Sequence, residues 1–188
     1  KIGLKLGFGD YQVEESKMLI SKKLNDAMNA QIGDELMASN QYLNIAAYFD
    51  SETLPELAAF FFRQSDEERM HALKFVRYIL DAGGTVAVPA MEAPTTEIGS
   101  AEAAAQMALD WEIEVTNKIN ALMDIAVEEK DYIAQEFLHW FVNEQLEEVS
   151  SMDGLLSVIR RAGEKQLLMV ENYVSRQAAA APEEDEEA

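Results

Sequence analysis

The chemistry available to this sequence is concentrated in a few acidic residues that interrupt apolar stripes. Glu68 and His71 stand three residues apart between Ser65 and Ala72, so both side chains point the same way on a helix. Glu35 follows Ile32 at the same spacing, beside Leu36. Glu112 lies four residues from Ala108, and Glu148 shares a face with Phe141, Met152 and Leu155, with Gln145 three residues before it. A helical core does not bury that many carboxylates unpaired, because like charges would drive their pKa values up or unfold the bundle. A pair of divalent cations removes the conflict, with carboxylates bridging two ions and imidazole supplying a neutral ligand. A Glu-x-x-His pair plus a Glu from another helix is half of the di-metal carboxylate pattern of helix bundles. Glu35, Glu68 and His71 would hold one ion. Glu68 would bridge to a second, held by Glu112 and Glu148.

Each residue alone has a plainer reading. Glu68 with His71 is as readily a buried hydrogen-bonded pair, Glu35 a stripe-edge residue, and Glu112 one acid among several on an acidic helix. Their joint occurrence at matching depths on four helices separates the metal reading from these. Glu67, beside Glu68, and Glu144 and Glu147, beside Glu148, form a second acidic cluster. It is either solvated surface or a third, weaker ion site. Tyr42, about two turns past Glu35, and Trp140, one turn before Glu144, are core aromatics or neighbours of the metal pair. His139 is off the Phe141 stripe and is expected to face away.

The elements that must position these groups are all helical. A first helix is expected from about Met18 to Phe49, with the stripe Met28, Ile32, Leu36, Leu43 and Ala46/Ala47. Thr53 and Glu56 fit a capping box with Pro55 in the first turn. The second helix then carries Leu57, Phe61, Ser65, Ala72, Phe75 and Ile79 to about Ala82, where Gly83 and Gly84 stop it. Thr85 to Gly99 contains Pro89 and Pro94 and has no sustained period. Ser100 can cap a third helix, through Ala108, Val115, Ile119, Leu122 and Ala126 to about Glu129. Asp131 restarts a fourth, carrying Phe137, Phe141, Met152 and Leu155. A shorter fifth lies beyond Gly163, through Leu167, Leu168, Val170 and Val174. A helix of about 28 residues is roughly 42 Å long. The two short joints connect antiparallel neighbours. The link between helices two and three is long enough to run the length of the bundle. The expected fold is therefore all-α: a four-helix bundle with one long crossover between helices two and three, plus a short C-terminal helix. Three segments are expected: an arm over 1–17, the helical domain over 18–177, and a disordered acidic tail over 178–188.

With 188 residues there is room for one domain with a sizeable core. The absence of cysteine excludes disulfides, thiolate metal sites and a cysteine nucleophile. Acids outnumber bases 35 to 15, a net charge of -20. Such a surface repels nucleic acid and anionic membranes and attracts cations. No run is long enough to span a bilayer, and no start resembles an intact secretion signal. No nucleic-acid or membrane partner is expected, and the expected location is the cytoplasm. Gly7 and Gly9 do not make a phosphate-binding loop, since a third glycine and a preceding strand are missing.

Four segments together resemble the non-haem ferritins of bacteria and archaea. They are Asp34-Glu35-Leu36-Met37-Ala38-Ser39-Asn40-Gln41-Tyr42, Glu67-Glu68-Arg69-Met70-His71-Ala72, Asp110-Trp111-Glu112-Ile113-Glu114-Val115-Thr116, and Phe137-Leu138-His139-Trp140-Phe141-Val142-Asn143-Glu144-Gln145-Leu146-Glu147-Glu148. The resemblance spans roughly Leu19 to Val174. It implies a ferritin-like fold and a ferroxidase that oxidises Fe(II) with dioxygen or peroxide. The ferric oxyhydroxide mineral would be stored inside a hollow homo-oligomeric shell of 24 subunits. By the resemblance, Glu35, Glu68 and His71 are the first iron site and Glu68, Glu112 and Glu148 the second. Glu67, Glu144, Glu147 and Glu148 match a third site, and Gln145, Tyr42 and Trp140 match neighbours of the pair, with Tyr42 sharing in the chemistry. Trp111 stands where the family commonly has histidine, and His139 where it often has glutamine; neither replaces an implied iron ligand. Haem-binding bacterioferritins would need a second Glu-x-x-His on helix four. Gln145 to Glu148 occupies that spacing, so no haem is expected.

Overall fold

Among the described residues the chain forms five α-helices: α1 (Lys22–Ser51), α2 (Pro55–Asp81), α3 (Ala101–Glu128), α4 (Tyr132–Ala162) and α5 (Leu167–Ala180). A single 3-10 turn (Glu164–Gln166) precedes α5. The computed structural model describes residues 18–180, and no strand occurs among them. The arm over 1–17 and residues 181–188 of the acidic tail lie outside the described residues. Residues 178–180, assigned to that tail from sequence, are the last turn of α5.

The helix ends follow local chemistry. Ser21 accepts from the Leu24 amide and starts α1 four residues later than its hydrophobic pattern begins. Ser100 and Asp131 cap α3 and α4 in the same way, through the Ala103 and Ala134 amides. Gly83, at φ 76°, turns the chain out of α2. The expected capping box at Thr53 does not form. Thr53 itself takes φ 63°, and Leu54 occupies the cap position without a side-chain bond. The first amides of α2 instead donate to a distant carboxylate: Glu56 N–H and Leu57 N–H reach Glu171 of α5 at 2.9 and 2.8 Å. The positive end of α2 thus anchors a buried acid from the C-terminal helix.

α1 packs antiparallel on α2 and α3 on α4, and the two hairpins meet chiefly along α1 and α3. The crossover, residues 82–100, climbs the outside of α1. Asn25 and Asn29 bind the backbone of Thr85 and Ala87. Gln41 both accepts from and donates to the Thr95 backbone, at 2.7 and 3.1 Å. Between these clamps the Pro89 ring lies so close to Gly33 that a Cβ there would collide with it.

Two apolar clusters fill the bundle. One joins Tyr42, Phe49, Leu57, Phe61, Ala105, Met152 and Ile159 at the end covered by α5. The other joins Leu24, Met28, Phe75, Ile79, Ile119, Leu138 and Phe141 at the opposite end. Each fully buried large side chain contributes about 1.5–3 kcal/mol. The α2 and α3 stripes are buried as their spacing predicts. In α1 the stripe runs instead through Ile32, Glu35, Ala38, Tyr42, Ile45 and Phe49, while Leu43 is 47% exposed and Ala47 also faces out. Leu168 of α5 is likewise exposed, beside the buried Val170 and Val174.

Candidate metal centre

The two apolar clusters leave a polar layer between them, and every helix of the bundle contributes to it. α1 places Glu35 between Ile32 and Ala38, and α3 places Glu112 between Ala108 and Val115. α2 places Ser65, Glu68 and His71 between Phe61 and Ala72, and α4 places Gln145 and Glu148 between Phe141 and Met152. All are buried: Glu112 is fully enclosed, and Glu35 and Glu68 are 1% exposed.

Ligand atoms of Glu35, Glu68 and His71 lie within 4.8 Å of one another. A second group, Glu67, His71, Glu144 and Glu148, converges equally closely. His71 joins the two, with Nδ1 3.4 Å from Glu68 and Nε2 4.0 Å from Glu144. Glu112 belongs to neither group. It accepts a hydrogen bond from the Tyr42 hydroxyl, and its charge bears on both Glu68 and Glu148. Glu147 is exposed and also belongs to neither group.

The electrostatics are those of a site that wants positive charge. Burial lifts the Glu35 and Glu112 carboxyls to about 7. Burial, then the neighbouring Glu112, lifts Glu148 to about 9. Glu68 is held well above the ordinary carboxylate range, by burial and then by Glu112 and Glu35. Burial and the nearby Lys74 push His71 down to about 4, so the imidazole is neutral. Tyr42, raised by burial among carboxylates, stays a phenol. Glu35 Oε2, Glu68 Oε2, His71 Nδ1 and Glu112 Oε2 are buried without a hydrogen-bond partner. Buried lone pairs normally find donors. Here they are oxygen and imidazole donors of the type that binds divalent first-row metals, so the residues fit bound metal of that kind.

The surrounding groups are arranged to hold this layer. Gln31 donates to Glu35 Oε1 at 3.0 Å. Gln64 donates to Glu67 at 2.6 Å, and Ser39 and Ser65 tie α1 to α2 beside the site. Lys118 bridges Asp34 and Glu114, both at 2.9 Å, across the α1–α3 edge. Trp140 lies edge-on to His71 with ring centroids 5.4 Å apart, and Lys74 Nζ sits over its indole. His139 is exposed and turned away, beside Glu136. Gln31, Gln64, Ser39 and Thr116 were not singled out from sequence. The i,i+4 spacing of Gln31 to Glu35 and the i,i+3 spacing of Gln64 to Glu67 are the signals that could have found two of them.

The chain is similar to known proteins in sequence and in fold. Residues 25–162 match the family described as Ferritin-like domain. Ferritin BfrB of Mycobacterium tuberculosis is 39% identical over 160 residues, covering 85% of this chain and 88% of that protein. A bacterial non-heme ferritin of Bacteroides fragilis is 34% identical over 158 residues, covering 84% of this chain and 99% of that protein. An open pore ferritin of the hyperthermophilic archaeon Archaeoglobus fulgidus superposes with a TM-score of 0.81 at 36% identity, over 84% of this chain and 98% of that one. The chain belongs to the ferritin family, among its bacterial and archaeal members.

Proposed function

We propose that this chain is a ferroxidase that stores iron. It binds two Fe(II) ions per subunit, one at Glu35, Glu68 and His71 and the other at Glu68, Glu112 and Glu148, and oxidises them to Fe(III). Each ion gives up one electron, so the pair supplies the two that reduce dioxygen, with two protons, to hydrogen peroxide. Peroxide can replace dioxygen as the oxidant. The carboxylates favour the reaction because a more negative ligand set stabilises the higher ferric charge. Binding displaces the protons that burial keeps on Glu35, Glu68, Glu112 and Glu148 in the ion-free protein. Tyr42 holds the Glu112 carboxylate through its hydroxyl and offers an oxidisable ring beside the site.

Glu67, Glu144 and Glu148, with His71, form a third and weaker ion site through which iron passes in or out. Glu147 adds charge at its exposed edge. The product is stored as ferric oxyhydroxide in the cavity of a homo-oligomeric shell of 24 copies. Iron is substrate and cargo; no haem is used, and neither nucleic acid nor a membrane is a partner. No helix among the described residues is long and apolar enough to cross a membrane, and the cytoplasm is the proposed location. The segments 1–17 and 181–188 flank the helical domain.

The observation that carries this reading is the convergence of buried, unpartnered donor atoms from Glu35, Glu68 and His71 in a bundle of ferritin topology. An oxygen electrode tests it. Adding two Fe(II) per chain should consume about one dioxygen per iron pair, with ferric absorbance rising in step. A rate no faster than that of buffer would leave a shell without an oxidase.

A further inference from the structure

Thr116 lies on α3 one turn after Glu112, and its hydroxyl meets two acceptors. Oγ1 is 2.7 Å from the Glu112 backbone carbonyl and 2.9 Å from Oε1 of Gln145 on α4. A threonine hydroxyl carries one proton and cannot donate to both. The carbonyl can act only as an acceptor, so the proton goes there, in the i to i−4 bond common for threonine in helices. The contact with Gln145 then calls for a donor from the amide. Meanwhile the Gln145 nitrogen is buried on the Glu112 side of the amide, near enough to draw that carboxyl's pKa down, yet meets no acceptor at full hydrogen-bond geometry.

Oxygen and nitrogen of a side-chain amide are told apart by the hydrogen bonds they make. Turning this amide by half a rotation gives Thr116 its donor and, with a cation in the layer, exchanges the Glu112 contact for one to the ion. Nε2 then donates to Thr116 Oγ1, and Oε1 faces the layer that holds Glu112 and Glu148. We propose that Thr116 is a positioning residue: its hydroxyl holds the Gln145 amide with the oxygen towards the second metal position, where it serves as a neutral oxygen donor. The inference rests on the di-iron reading given above. An amide oxygen adds a donor to a carboxylate-rich site without adding charge, whereas an NH₂ group aimed at a cation would oppose binding. α3 thereby controls both Glu112, on its own turn, and the ligand that α4 presents across the bundle.

Anaerobic titration of the full chain with Co(II), followed by visible absorption, tests this. The wild type should take up two Co(II) per chain. Thr116→Val keeps the shape and removes the hydroxyl, and should weaken one of the two ions roughly tenfold or more with an altered visible band, leaving the other unchanged. Thr116→Ser restores the hydroxyl and should bind within about twofold of wild type. Equal binding by wild type and Thr116→Val, equal weakening of both ions, or a Thr116→Ser variant as impaired as the valine one would overturn the proposal. Fewer than two Co(II) in the wild type would overturn the di-iron reading and this proposal with it. Neutron diffraction from the wild-type protein with Zn(II) bound needs no variant. It should find the Gln145 oxygen towards the ion; a deuterated nitrogen in that position contradicts the assignment.

Discussion

Glu35, Glu68 and His71 are sealed in the bundle, each no more than 2% exposed, whereas Glu67 and Glu144, a few ångströms away across His71, are only half-buried. The donor types are the same in the two groups, so solvent is what distinguishes them. A sealed carboxylate cluster is costly without cations, and ions that relieve this strain bind tightly. A half-open cluster keeps part of its hydration, so a cation gains less on arrival and leaves more readily. One imidazole shared between the two would suit, on the proposed function, a path along which iron moves from a loose position to a tight one, or back.

The largest expected effect follows from cutting the sealed group. Glu68→Gln should slow the initial oxidation of Fe(II), measured as oxygen uptake, by at least about 100-fold, since even residues that only support a metal ligand cost 10–100-fold. A loss of less than tenfold would mean that the two groups do not differ as described. The double variant Glu67→Ala/Glu144→Ala should retain the first turnover within about threefold of wild type and lose a third, weaker ion in equilibrium dialysis against Zn(II). Equal damage from both variants would erase the distinction.

A third effect appears in stability. Burial raises Glu35 and Glu112 to about 7 and Glu148 to about 9, from 4.5. Between about pH 4.5 and 9 the ion-free folded chain therefore keeps protons that the unfolded chain releases, and stability falls as pH rises. His71, lowered from 6.5 to about 4, acts oppositely between those two values, where the unfolded chain takes up a proton that the folded one refuses. Above pH 6.5 only the carboxylate effect remains. The melting temperature of ion-free protein should drop from pH 6.5 to 9, and saturating Zn(II) should reduce the drop. A melting temperature that does not fall would argue against sealed carboxyls.

The smallest effect lies outside both groups. Glu171→Ala removes the carboxylate that caps α2 and should cost about 1–2 kcal/mol in denaturant unfolding, while leaving the oxidation rate within twofold of wild type. A large loss of rate would tie the α5 end of the bundle to the metal layer.

Most of the bundle was legible because its signals are local. The α2 stripe from Leu57 to Ile79 and the Ser100 and Asp131 caps each involve residues within a few turns. The buried acidic layer was legible for a related reason: a carboxylate inside an apolar stripe is conspicuous on each helix separately. Leu43 misled because hydrophobicity alone does not say which of two adjacent faces turns inward, and the polar Tyr42 took the buried position. The Glu171 cap could not be read, since its partners are more than 100 residues away in the chain. Thr116 was passed over because its part depends on Gln145 lying opposite on another helix. That juxtaposition is set by packing and leaves no mark on the spacing of either helix.

On the proposed function, two cations hold the buried carboxylates together. Anaerobic titration with Fe(II), recorded by calorimetry in two buffers of different ionisation enthalpy, tests it most directly. It should give two tightly bound ions per chain, with protons released at pH 7 from the carboxyls that burial had kept protonated. Fewer than two tight ions, or uptake with no proton release, would contradict it.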